Sequence, residues 1–250
     1  MKRTKWAVAA LVLSLSATAA WGADDGFVSL FDGKTLDGWT QRNGLATYRV
    51  DDGAVVGRTA ASSPNSFLCT DKAYCDFELL FEVKVDPGLN SGVQIRSRSS
   101  KDYNDERVHG PQVEIETAPG ESGYIYGEAT GRGWLSPNQD KKDAYKNDQW
   151  NQFRVVAVGP RIQTFINGVP VEDLTDEASS QCGFIGLQVH GVGDRGPFEV
   201  RWRNITIKDL APEKTEKAQG VQFTPAPDIK QKDPAQKPAR QKKQPKKKAE

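Results

Sequence analysis

The feature that most restricts this chain is a recurrence of short period-two runs, each closed off by Gly, Asn, Asp or Pro. In Phe77 to Val85, the residues Phe77, Leu79, Phe81, Val83 and Val85 alternate with Glu78, Leu80, Glu82 and Lys84. Successive side chains on a strand point to opposite faces, so such a run buries one row and wets the other. Comparable runs are Phe27 to Phe31, Tyr48 to Val50, Ala54 to Arg58, Ser66 to Thr70, Gly92 to Arg98, Pro111 to Glu116, Gln152 to Val158, Ile162 to Ile166, Gly183 to His190 and Phe198 to Ile207. Asn167-Gly168 reads as a tight hairpin turn, since both residues tolerate positive φ. Helical periodicity is almost nowhere convincing. Many short, evenly spaced strands imply an all-β sandwich or barrel.

The two ends differ from this middle. Met1 to Gly22 reads as a secretory signal, with Lys2, Arg3 and Lys5 before the apolar run Trp6 to Ala20 and small residues after it. Cleavage is expected before Ala23, which makes the mature protein exported, either periplasmic or extracellular. No later apolar run is long enough to span a bilayer. Residues 23–210 form the expected single domain, and residues 211–250 the expected disordered tail, rich in Lys, Pro and Gln with little to bury. The net charge of +1 hides an asymmetry: the tail is basic, while residues 23–210 carry a net of about −8 by formal counting. A solvated tail is the plain reading, and contact with an anionic surface is the sharper one. Nothing specifically indicates a nucleic-acid-binding domain.

Of the three cysteines, Cys69, Cys75 and Cys182, an oxidising compartment allows one disulfide and one thiol left over. Cys69 and Cys75 flank the turn-like stretch Thr70 to Tyr74, where a bridge would close a hairpin; three buried free thiols are the alternative. No Cys/His spacing suggests structural zinc.

Function is sought on the polar rows. In Pro111 to Glu116, Gln112, Glu114 and Glu116 share one face, while Val113 and Ile115 anchor the other. In Gly92 to Arg98, Gln94 and Arg96 oppose Val93 and Ile95. In Gly183 to His190, Gln188 and His190 oppose Leu187 and Val189. If these strands lie side by side, their rows make one outward-facing polar surface with His109 at its rim. Planar amide, carboxylate and guanidinium groups suit vicinal hydroxyls, and Tyr124, Tyr126 and Trp134 offer rings for the apolar face of a sugar. Arg96 suits a developing oxyanion, or else neutralises a neighbouring Glu. His109 and His190 with Glu114 or Glu116 make a divalent metal conceivable, although no compact ligand motif is present and no cofactor is evident.

The run Leu30-Phe31-Asp32-Gly33-Lys34-Thr35-Leu36-Asp37-Gly38-Trp39 resembles the opening of a known family. So do Asp76-Phe77-Glu78-Leu79, Asn90-Ser91-Gly92-Val93 with Arg96, His109-Gly110-Pro111-Gln112-Val113-Glu114-Ile115, Trp150-Asn151, Asn167-Gly168, Gly186-Leu187-Gln188-Val189-His190 and Arg203-Asn204-Ile205 in their order. That family is the 3-keto-disaccharide hydrolase-like domain, and the resemblance covers nearly all of Phe27 to Leu210. It implies a concanavalin A-like jelly roll, two antiparallel sheets with a concave sugar-binding face. Many members carry Glu-x-Gln where this chain has Gln112-Val113-Glu114.

The resemblance implies cleavage of 3-keto-glycosides. A ketone at C3 acidifies the proton on C2, so the C1 substituent leaves by elimination and water then adds. Glu114 or Glu116 with His109 or His190 would supply base and acid, and Arg96 would meet charge at O3. Gln94, Gln112, Gln188, Tyr124, Tyr126 and Trp134 would hold the carbohydrate. The alternative from another class is a noncatalytic carbohydrate-binding module. An endoglucanase ranks last, because Glu114 and Glu116 lie on one strand face about 6 to 7 Å apart and do not flank a bond.

Overall fold

The computed structural model describes residues 26–219, so the expected export segment, the expected cleavage before Ala23 and the expected tail beyond residue 219 lie outside the described residues. The strands, in chain order, are β1 (Val28–Ser29), β2 (Trp39–Arg42), β3 (Thr47–Asp51), β4 (Ala54–Arg58), β5 (Ser66–Thr70), β6 (Phe77–Val85), β7 (Asn90–Ser97) and β8 (Gly110–Glu116). They continue with β9 (Ile125–Glu128), β10 (Gly133–Trp134), β11 (Asn151–Val158), β12 (Arg161–Ile166), β13 (Val169–Thr175), β14 (Phe184–Val189) and β15 (Glu199–Asp209), and a short helix, α1 (Pro212–Ala218), follows. One sheet has the order β13-β12-β11-β6-β15-β4-β3 with β1 beside β15; the other has the order β10-β9-β8-β7-β14-β5-β2. The fold is thus the expected two-sheet antiparallel sandwich. Among the described residues no helix is long and apolar enough to cross a membrane.

The alternating rows decide how the sheets face each other. Phe77, Leu79, Phe81, Val83 and Val85 of β6 meet Val93, Ile95, Val113, Ile115, Leu187 and Val189 of the second sheet in one buried cluster around Trp202. Two layers enclose one core, so the opposite row of each strand must lie on an outer face. The hairpin turn between β12 and β13 is where Asn167-Gly168 placed it, with both residues at positive φ, 52° and 81°. The opening run is held locally: Asp32 Oδ1 accepts from the backbone of Lys34 and Thr35, and Trp39 Nε1 donates to Leu30 O.

Two expectations are corrected here. The disulfide joins Cys75 to Cys182, and Cys69 is a buried free thiol. An antiparallel bridge between Tyr74 and Gly183 brings Cys75 beside Cys182, whereas Cys69 packs with Phe67, Val108 and Phe184 on the other side of its sheet. The ordered chain also runs past residue 210. Pro212 opens α1, Thr215 and Ala218 are buried, and Gln219 exchanges hydrogen bonds with the backbone of Ala73. Lys214 Nζ reaches Asp76 Oδ2 at 2.8 Å. A few apolar and capping contacts therefore order the first residues of a stretch whose composition suggested only a tail.

Candidate functional site

The three strands that carry polar rows are neighbours, in the order β8-β7-β14. Register sets Gln94 opposite Gln112, Gly92 opposite Glu114, and Gln188 opposite Gly92. Gly92 is required there, because a Cβ would come within 2.5 Å of the Gln112 side chain, which lies across it. The amides form a connected bed. Gln94 Nε2 and Gln188 Nε2 both donate to Gln112 Oε1, at 2.6 and 2.8 Å, and Gln112 Nε2 donates to Glu114 Oε2 at 2.8 Å. Asn90 Nδ2 donates to the other carboxylate oxygen, Oε1.

These rows face away from the core, but they are buried rather than wet. Gln94 and Gln188 are fully buried, and Glu114 is only 6% exposed. Burial pushes its carboxyl up to about 7; the Gln112 and Asn90 hydrogen bonds pull it down, and the charges of Glu116 and Glu128 push it up again. A carboxyl in that range takes and returns protons near neutral pH.

Above this floor lies a cleft of about 940 Å³ whose lining includes Asn90, Gln112, Glu114, Tyr126, Glu128, Trp134 and His190. Tyr126 and Glu128 alternate on β9, with Tyr126 opposite Gln112. Trp134 on β10 is 41% exposed and meets Tyr126 edge to face at 5.3 Å, giving the lip an aromatic surface. The segment between β7 and β8 closes another side. Val108 N donates to Asn43 Oδ1, Tyr103 Oη donates to Ala129 O, and Arg107 Nη2 pairs with Glu128 Oε1 at 3.0 Å. His190 Nδ1 lies 2.7 Å from Gly191 O, which makes that nitrogen the donor of this bond.

Several expected site residues lie elsewhere. Arg96 sits at φ 50° in a bulge where β7 gains a residue on β14, so the parity of the strand slips and Arg96 turns inward. Its guanidinium donates to Cys75 O, Gly159 O and Asp76 Oδ1 at 1% exposure, and burial pushes it down to about 10. It ties the sheets together and does not reach the cleft. The same slip brings Ser97 to the side of Gln94. Tyr124 belongs to the core, with its hydroxyl between Asp140 and Lys141 N, because the chain turns at Gly123 before β9 begins.

His109 stacks on Tyr103 at 3.8 Å and does not line the cleft; burial holds its imidazole below the usual value. Glu116 turns to the backbone of Glu121. Among the described residues no group of three or more His, Cys, Asp and Glu side chains is placed to hold a metal ion, so the His109–His190–Glu arrangement does not form. Sequence reasoning missed Glu128, which shares the parity of Tyr126 and was visible by the same alternation. It also missed Asn90, Asn65 and Arg107, whose loop or strand-end positions carry no periodic signal.

The comparisons agree with this architecture. A family model described as the 3-keto-alpha-glucoside-1,2-lyase-like domain matches residues 26–208. A candidate glycosyl hydrolase from Parabacteroides distasonis has a similar structure at 21% identity, with TM-score 0.54, over 74% of this chain and 94% of that one. A second from the same organism matches at 24% identity and TM-score 0.50, over 74% of this chain and 99% of that one. A prokaryotic beta-1,3-1,4-glucanase (lichenase) derived from a mouse hindgut metagenome matches at 11% identity and TM-score 0.52, over 74% and 99%. At such identities the three structures show a shared fold. No curated protein matches the chain.

Proposed function

Because the chain belongs to the 3-keto-alpha-glucoside-1,2-lyase-like domain family, we propose that its cleft cleaves 3-keto-glycosides by removing the proton on C2. The single observation that carries this reading is Glu114: a carboxylate at the cleft floor, accepting amide hydrogens on both oxygens and raised to about 7 by burial. Accepting on both oxygens suits the ionised form, which is the form a base needs. The raised value makes it a stronger base than an exposed carboxylate.

In this scheme Glu114 takes the C2 proton, and the electron pair moves into an enolate at C3. The enolate re-forms the ketone as the C1–O bond breaks, leaving a C1=C2 double bond, and water then adds across it. His190, held through Nδ1, presents Nε2 to the leaving oxygen and in its protonated form supplies the proton. Arg107 at the cleft wall is the cation for charge at O3, the role that the inward-turned Arg96 does not fill. Gln112, Tyr126 and Trp134 bind the sugar. A two-carboxylate glycosidase fits less well. Glu128 carries its carboxylate to Arg107 Nη2 at 3.0 Å and so is held as an ion-paired group, not as the protonated acid that such a pair also needs.

The test is to incubate the pure protein with a 3-keto-disaccharide and with its unoxidised parent. Cleavage of the keto sugar alone is expected. Binding of glycan without cleavage of either would assign the cleft to a carbohydrate-binding module, and equal inertness would remove both readings.

A further inference from the structure

Gln112 has two ways to place its amide, and only one of them puts a donor on Glu114. Its Oε1 now accepts from Gln94 Nε2 and Gln188 Nε2 while its Nε2 donates to Glu114 Oε2. Turned over, Nε2 would confront two Nε2 donors and Oε1 would confront a carboxylate oxygen. Gln94 is oriented in turn by Ser97, whose Oγ lies 2.6 Å from Gln94 Oε1 and further from Ile95 O and Pro111 O, at 3.2 and 3.4 Å. One hydroxyl hydrogen serves one short bond, and the shortest is to Gln94. Gly110 makes the room, since a Cβ there would lie 2.7 Å from Ser97 Oγ.

We propose that Gln94 and Ser97 are positioning residues of Glu114, acting through Gln112 to hold the donor end of its amide against the carboxylate. The chain runs one way: Ser97 Oγ–H to Gln94 Oε1, Gln94 Nε2–H to Gln112 Oε1, Gln112 Nε2–H to Glu114 Oε2. Gln94 and Ser97 are both fully buried, so they act on the site without touching a ligand. Losing the chain leaves Gln188 Nε2 as the one donor on Gln112 Oε1, so the turned-over amide, whose carbonyl favours a protonated Glu114, is less strongly opposed. The inference builds on the reading of Glu114 as the base, but it concerns the carboxyl itself and is measured without substrate.

Other charged and titratable groups face Glu114. Glu116 lies on its own strand with Glu121 beside it, Tyr126 and Glu128 come from β9 with Arg107 on Glu128, and His190 follows β14. None of them contacts Gln94 or Ser97 through a hydrogen bond in the chain described, so substitutions there leave them in place.

The experiment is a pH titration of the carboxyl carbons of 13C-glutamate-labelled full chain by NMR, with Glu114→Gln identifying the resonance. Gln94→Met is expected to raise the Glu114 midpoint by at least about half a pH unit, a threefold gain in proton affinity. Ser97→Ala is expected to raise it by less, and Ser97→Thr to keep the wild-type value. If the protein cleaves keto sugars, the acidic limb of the rate profile moves with the midpoint; a merely structural role lowers the rate at every pH without moving that limb. An unchanged or lowered midpoint in folded Gln94→Met overturns the proposal. Should that variant fail to fold, Ser97→Ala decides by the same criterion. Failure to cleave any sugar would remove the functional reading and leave the titration result standing.

Discussion

Gln112 and Glu114 lie two residues apart on one strand face, with Gln112 Nε2 2.8 Å from Glu114 Oε2. The contact supports an ionised carboxylate in a place where burial opposes one. Site chemistry and fold stability therefore pull on Glu114 in opposite directions. An acid whose value is raised from the usual 4.5 to about 7 binds more protons folded than unfolded between those limits. Its favourable contribution is complete below about pH 4.5 and is lost as pH rises through 7, a loss of about 3 kcal/mol. Glu114→Gln, always neutral, is expected to melt at or above the wild-type temperature at pH 8 and to show a smaller advantage at pH 5. Melting curves of both proteins at the two values check this, and a lower melting temperature for the variant at pH 8 would count against it.

The proposed reaction would take its pH dependence from the same carboxyl. If ionised Glu114 is the base, kcat/KM toward a 3-keto-glycoside is expected to fall about tenfold per pH unit on the acidic side, below 7, while the need for protonated His190 adds a fall on the alkaline side. Glu114→Gln is expected to lose at least about 10³-fold in rate while still binding sugar. A profile flat from pH 5 to 8 would exclude Glu114 as the base.

Parity made much of this legible from the sequence. Gln94, Gln112, Glu114 and Gln188 each fall opposite an apolar row, and a two-layer sandwich leaves one outer face for them. Adjacency of the three strands was not legible, because register is set by pairings between segments far apart in the chain. Arg96 shows where parity fails: one bulged residue at positive φ turns a side chain from the outer face to the inner edge, and nothing in Gly92 to Arg98 announces it. Cys75 and Cys182 are 107 residues apart, so their pairing follows from the strand arrangement alone.

Arg96 accordingly belongs to stability. Its guanidinium meets Asp76 and two backbone carbonyls almost without solvent, beside the disulfide and α1. Removing one partner of a buried pair leaves the other uncompensated, although Lys214 still reaches Asp76 here. Arg96→Met is expected to lower unfolding free energy by about 2 to 4 kcal/mol. Activity per folded molecule is expected to change less than about threefold. Denaturant unfolding with active-site counting checks both parts, and a folded variant with a hundredfold loss of rate would return Arg96 to the site.

Trp134 tests the lip of the cleft in the opposite way. Its ring is exposed and packs edge to face on Tyr126, which stands opposite Gln112 on the cleft floor. Under the proposed function a ring in that position would cover the apolar face of the sugar without reaching the atoms that change bonding, so its contribution would be the same in ground and transition states. Loss of such uniform binding raises KM and leaves kcat. Trp134→Ala is expected to raise KM, or the Kd of a noncleavable analogue, by about 5- to 20-fold, in line with about 1 to 2 kcal/mol for an aromatic contact with its buried area. Stability is expected to change little, since the strand that carries it is two residues long at the sheet edge. Steady-state kinetics and calorimetric titration on the same preparation separate the two parameters. A fall in kcat with KM unchanged would place Trp134 at the reacting bond instead of at the lip.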